Sequence, residues 1–264
     1  MSLLSLPDPP PAPIRHSGHD FELLLDRWES LVKRRGWAQT VIAEELDYPV
    51  IAVEVGAGRE EASSLYLSAG VHGDECAPVW GLLQWAEHWS EREGSDLSLT
   101  IFPCLNPVGL LENSRKTEAG IDLNRHFQDR ELPLIRAWQD YLAGRRYRMG
   151  LNLHEDYDAT GIYLYEVARQ EPRGEAILAA CEGIIPRETA ETVDGSQFEN
   201  GLLRHERDIG EVIRNDLAGG WPEALYLYLH HVMNSYTFET PSEWSLETRV
   251  AAHVRCLERA VEGI

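Results

Sequence analysis

Apolar residues recur at helical spacing from Asp20 to Gly36, where Phe21, Leu24, Leu25, Trp28, Leu31 and Val32 mark one face. Gly36 supplies the C-terminal stop. Alternation over Thr40 to Glu45 and Tyr48 to Val55 predicts two strands joined as a hairpin, and Gly56-Ala57-Gly58-Arg59 reads as a turn. An apolar run, Ser64 to Ala69, predicts a buried strand that is broken by Gly70 and Gly73. A helical pattern follows from about Ala77 to Glu91, with Leu82, Leu83, Trp85, Ala86 and Trp89 inward.

Downstream, Leu97 to Leu105 predicts a strand closing on Asn106-Pro107-Val108-Gly109, a turn signal. Residues 110 to 128 are polar and irregular. Pro133 to Leu142 predicts a helix, Tyr147 to Leu153 a strand ending at His154, and Gly161 to Val167 another strand. Gly174 to Cys181 and Trp221 to His231 read as helices, with residues 186 to 220 a charged loop between them. Ser235 to Phe238 reads as a strand ending at Glu239, and Leu246 to Val261 as the closing helix. Strands alternating with helices imply an α/β protein built on a largely parallel sheet. Residues 1–14 are proline-rich and read as an extended arm; residues 15–264 read as one domain.

Composition narrows the function classes. The 264 residues suffice for a sizeable core. A formal charge of -20 excludes a nucleic-acid partner, which needs a basic surface. The four cysteines are scattered, the N-terminus lacks the basic start of a signal peptide, and no apolar run is long enough to span a membrane. A cytoplasmic location with reduced thiols is the expectation.

The chemistry gathers at strand ends. His72 and Glu75 follow one strand, three residues apart, and are expected on the opening turn of a helix, facing the same way. His154 ends a second strand and Glu239 a third. Strand ends at one edge of an α/β sheet converge. His72, Glu75 and His154 would give a catalytic zinc its three protein ligands, leaving Glu239 as general base for a water activated by the metal. Arg115, and Asn124-Arg125 within Asp122-Leu123-Asn124-Arg125, offer donors for a substrate carboxylate and an oxyanion.

The order His72-x-x-Glu75, Asn106-Pro-x-Gly109, Arg115, Asp122-Leu-Asn124-Arg125, His154 and Glu239 resembles the M14 zinc metallocarboxypeptidases over roughly residues 48 to 241. The compact Arg115 to Asn124 spacing is similar to the small bacterial members, such as the murein peptide amidases. The resemblance implies a three-layer α/β/α fold with a mixed, largely parallel sheet of about eight strands. It implies one zinc ion on His72, Glu75 and His154, with Asp122 orienting a ligand histidine. Arg115 would polarise the scissile carbonyl, Asn124 and Arg125 would grip a free carboxylate, and Glu239 would be the base.

Two departures bear on the substrate. The mobile tyrosine of the digestive enzymes is missing from Ile213 to Leu217, and Tyr226 and Tyr228 are expected to pack on a helix. Glu155 and Asp156 read as solvated carboxylates, with selection of a cationic substrate as the other reading. Arg204 and Arg207 read as part of a solvated charged stretch, with a place at the substrate mouth as the other reading. His88, His126, His205, His230, His231 and His253 match no motif and are assigned to surface or packing.

The expected reaction is hydrolysis of an amide next to a free carboxylate, on a peptide or an acyl amino acid. A second reading is an N-acyl amino acid deacylase of the succinylglutamate desuccinylase/aspartoacylase type, which shares His-x-x-Glu and Asp-Leu-Asn-Arg. A third, a non-catalytic binding protein on this scaffold, predicts a missing ligand or base, and none is missing.

Overall fold

A computed structural model describes residues 18–56, 64–89, 97–190, 192–193, 196–204, 220–262 and 264. The proline-rich arm, the Gly56–Arg59 turn beyond Gly56, residues 90–91 of the second helix, the Ile213–Leu217 region, His205 and Arg207 lie outside them.

Strands β1 (Ala38–Glu45), β2 (Tyr48–Val55), β3 (Ser64–Ser68), β4 (Ser98–Phe102), β5 (Tyr147–Asp156), β6 (Tyr163–Ala168), β7 (Leu202–Arg204) and β8 (Val232–Pro241) form one sheet. Its order is β1-β2-β4-β3-β5-β8-β6-β7. The central block β4-β3-β5-β8 is parallel, and antiparallel pairs flank it at β1–β2, β2–β4 and β8–β6. All five residues of β3 are buried, as a strand covered on both faces requires. By contrast β1 is an edge strand with no buried residue and half of its eight exposed, Glu44 among them.

Helices α1 (Phe21–Arg35), α2 (Cys76–His88), α5 (Gly174–Cys181) and α7 (Leu246–Val261) share the larger apolar core with one face of the sheet. On the other face, α4 (Pro133–Leu142) and α6 (Glu223–His230) pack on Tyr66, Phe102 and Tyr147. This is the expected α/β/α architecture. Local signals set the helix ends. Asp20 accepts from the Leu23 N–H at 2.9 Å to start α1, and left-handed Gly36 (φ 68°) stops it. Helices α4, α5 and α7 match the predicted ranges.

The sequence expectation fails in three places. Asn106-Pro107-Val108-Gly109 does not form a free turn; Asn106 caps a short helix α3 (Pro107–Glu112), accepting from the Gly109 N–H at 2.9 Å. A proline at the first position of a helix fits there, because its missing N–H would have no partner anyway. Second, β5 and β8 run on past His154 and Glu239, since sheet pairing continues to Asp156 and Pro241. Third, the stretch read as a charged loop supplies β7, which pairs with β6 through Leu202 and Leu203, both 5% exposed. Three residues are too short a run to show a period.

Candidate metal centre

Parallel strands β3, β5 and β8 bring three chain segments to one sheet edge. The segment after β3 turns sharply at Gly70 (φ 66°), then passes against α3. A Cβ on Gly73 would lie 1.9 Å from the carbonyl carbon of Gly109, so only glycine allows the two backbones this close. Asn106 N–H donates to the Gly70 carbonyl at 2.8 Å and locks the approach. His72 and Glu75 therefore sit in a fixed loop, with Glu75 at the N-cap of α2, rather than on the helix itself as the spacing suggested.

Glu75 lies between two imidazoles. Its Oε1 is 2.5 Å from His72 Nδ1 and its Oε2 is 2.9 Å from His154 Nδ1. The two rings stand 5.1 Å apart at 65°. All three side chains are buried, and one ligand atom from each lies within 4.8 Å of the others. Two imidazole nitrogens and one carboxylate oxygen, with both Nδ1 atoms turned to the same Glu75 carboxylate, make a donor set that could hold a divalent transition metal such as zinc. The residues fit the ion.

Electrostatics describe the same cluster. Burial alone would raise the Glu75 carboxyl, but His72 and His154 together hold it well below the usual range. Burial alone would lower His72; Glu75 and Asp122 outweigh it and lift the imidazole to about 9. His154 is raised likewise, with Glu75 and Glu239 overcoming burial. Opposed charges thus gather where a cation would take the place of the protons.

Behind the cluster, Asp122 Oδ1 lies 3.2 Å from His72 Nε2, and Asp122 Oδ2 accepts from Arg115 Nε at 3.1 Å. Arg115 Nη1 is also 3.6 Å from Glu75 Oε1. The Asn106 side chain reaches toward the Arg115 carbonyl at 3.5 Å, tying this loop to α3. Glu239 stands directly opposite His154 in the parallel β5–β8 register, so both side chains project from the same face. It is 9% exposed; burial lifts its carboxyl to about 8, opposed by His154 and assisted by Glu75 and Asp156.

Asn124 and Arg125 lie in the 3-10 turn that follows Asp122. The Asn124 Oδ1 accepts from the Glu223 N–H at 2.9 Å, and the Arg125 carbonyl accepts from the Trp221 N–H at 3.0 Å. The Arg125 guanidinium is exposed and touches the Asn124 carbonyl at 2.9 Å. The structure brings His72, Glu75, His154, Asp122 and Arg115 into one cluster with Glu239 alongside; Arg125 remains apart from it.

One further expectation is corrected, that for Glu155. Glu155 is neither solvated nor a substrate contact. It is 4% exposed, accepts from the Ala77 N–H at 3.0 Å, and is paired with Arg249 of α7. Asp156 accepts from the Tyr163 hydroxyl at 2.7 Å. Arg204 is paired with Glu166 at 2.9 Å. Tyr226 packs on Trp138 at 5.4 Å, and Tyr228 lies under Arg169 at 3.8 Å, so both do pack. His253 is fully buried on Thr240.

Glu223, 1% exposed, carries no functional mark in the sequence; its Oε1 accepts from the Tyr66 hydroxyl at 2.5 Å. An ordinary helix-start glutamate looks the same in sequence.

Residues 61–184 match the model of the succinylglutamate desuccinylase/aspartoacylase catalytic domain. Among solved structures, a candidate metallopeptidase from Shewanella amazonensis shares the fold at a TM-score of 0.79 and 20% identity, covering 92% of this chain and 93% of that one. A metallo-carboxypeptidase from Burkholderia cenocepacia follows at 0.65 and 16%, covering 91% and 68%. A metallo-carboxypeptidase from Pseudomonas aeruginosa, in complex with (2-guanidinoethylmercapto)succinic acid, reaches 0.60 and 16%, covering 89% and 68%. No curated protein matches the chain. Residues 61–184 are thus similar to the succinylglutamate desuccinylase/aspartoacylase catalytic domain, the fold is shared with metallo-carboxypeptidases, and the His-Glu-His set could hold a metal ion.

Proposed function

We propose that the protein is a zinc-dependent amidohydrolase that cleaves an amide bond next to a free carboxylate, as a metallocarboxypeptidase or peptide amidase. The observation that carries this reading is the triad of His72, Glu75 and His154 with Glu239 in register beside it.

His72, Glu75 and His154 would hold the zinc ion, which when bound would supply Lewis acidity for the carbonyl and for activation of water near neutral pH. Asp122, by accepting from His72 Nε2, keeps Nδ1 free for that role. Glu239, in register beside His154, takes the proton of the attacking water and returns it to the leaving amine. Arg115, held through its Nε by Asp122, turns its remaining N–H groups to the developing oxyanion. Asn124 uses its Oδ1 on Glu223, which leaves its Nδ2 as a donor for the substrate carboxylate, with Arg125 as the countercharge.

The match of residues 61–184 favours a second reading, with an N-acyl amino acid as substrate on the same residues. One experiment separates them. The zinc-loaded protein is offered peptides with free C-termini, cell-wall peptides containing diaminopimelate, and N-acetyl and N-succinyl amino acids, with and without a chelator. Chelator-sensitive cleavage of a peptide supports the first reading. Turnover of the acyl amino acids alone moves the protein to the second, and activity that survives chelation overturns both.

A further inference from the structure

A cleft of about 500 Å³ lies between the β1–β2 hairpin, residues 117–123 and α4, and none of His72, Glu75, His154 or Glu239 lines it. Its walls are mostly aliphatic, with Ile42, Ile121, Leu123 and Leu132 prominent. No lysine, arginine or histidine lines it, among the described residues. Glu45, the last residue of β1, lies in the wall, and its Oε2 is buried without a hydrogen-bond partner. A carboxylate oxygen in that position has lost water and gained nothing in exchange. Burial alone accounts for a carboxyl pushed up to about 7.

An aliphatic cleft with one unsatisfied carboxylate calls for a ligand with an apolar body and a single cationic head. We propose that this cleft is a second binding site, separate from the metal centre, for a small aliphatic amine whose ammonium pairs with Glu45. The ammonium supplies the missing donors to Oε2, and the alkyl chain covers the aliphatic wall. A carboxylic acid would meet Glu45 and the nearby Glu44 and Glu118 with like charge, and an alcohol would supply one donor without charge.

Methyl-detected NMR on the full chain tests this with n-hexylamine, 1-hexanol and hexanoate. Hexylamine should shift the Ile42, Ile121 and Leu132 methyls saturably. Glu45→Gln should weaken that binding by at least about tenfold, as the loss of a charge-assisted hydrogen bond implies. Ala137→Leu, which narrows the cleft and leaves the charge, should weaken it as well and serves if Glu45→Gln does not fold. Equal affinity for hexylamine and hexanol, or hexylamine shifts unchanged in both variants, overturns the proposal. The readout is binding, so the outcome is independent of the enzyme's substrate.

Discussion

His72 points in two directions at once: its Nε2 lies 3.2 Å from Asp122 Oδ1, while its Nδ1 faces Glu75 at 2.5 Å. The carboxylate behind the ring selects the nitrogen left for a metal. Asp122→Asn keeps the shape and loses the charge. Zinc affinity should fall by about 10–100-fold, read by competition with a chromophoric chelator. An unchanged affinity would remove Asp122 from the orienting role.

Gly73→Ala tests the contact that sets the loop. The added methyl meets the Gly109 backbone, which has no flexible end to move aside. Destabilisation of about 3 kcal/mol and loss of zinc binding are expected. Denaturant unfolding and metal content measure the two; wild-type values for both would show that the close approach is not needed.

Arg249 and Glu155 form a buried pair beside the centre, with Glu155 also holding the start of α2. Arg249→Met leaves a buried carboxylate unpaired and should cost about 3–5 kcal/mol in urea unfolding. Adding Glu155→Gln to it should restore part of the loss, because the stranded charge is gone. A double variant no more stable than the single one contradicts this account.

Glu188 ties the segment before β6 to its own neighbours. Its Oε2 accepts from the Thr160 and Gly161 N–H groups and its Oε1 from those of Thr189 and Ala190. Burial would raise its carboxyl, but these donors together hold it at about 2, against 4.5 for a free glutamate. The folded value is depressed, so its stabilising contribution is complete above about pH 4.5 and fades as pH falls towards 2. Glu188→Gln should unfold at lower urea than wild type at pH 6, and the gap should narrow steadily below pH 4. A gap independent of pH would contradict it.

The legible parts of this fold are those whose signal is local. Amphipathic spacing placed α1, α4, α5 and α7, and the glycine breaks after β3 located the loop that carries His72 and Glu75. Strand-end residues could be grouped because parallel strands share an edge. What stayed hidden depends on distant partners. Glu155 reads as a solvated loop residue until Arg249, far along the chain, comes to meet it. The burial of Glu223 and of the Glu45 Oε2 carries no sequence mark, and β7 is too short for a pattern. Asn106 was visible as a turn residue, and only the hydrogen bond to Gly109 shows it to be a cap.

The central claim is that one metal ion rests on His72, Glu75 and His154. Zinc-edge X-ray absorption on the zinc-loaded protein, beside His154→Ala, tests it most directly. The wild type should hold one zinc per chain, with two imidazole nitrogens at about 2.0–2.1 Å and carboxylate oxygen completing the protein ligands. The variant should lose that signature and most of its zinc. Sulfur in the coordination shell, or an unchanged spectrum in His154→Ala, would contradict the site.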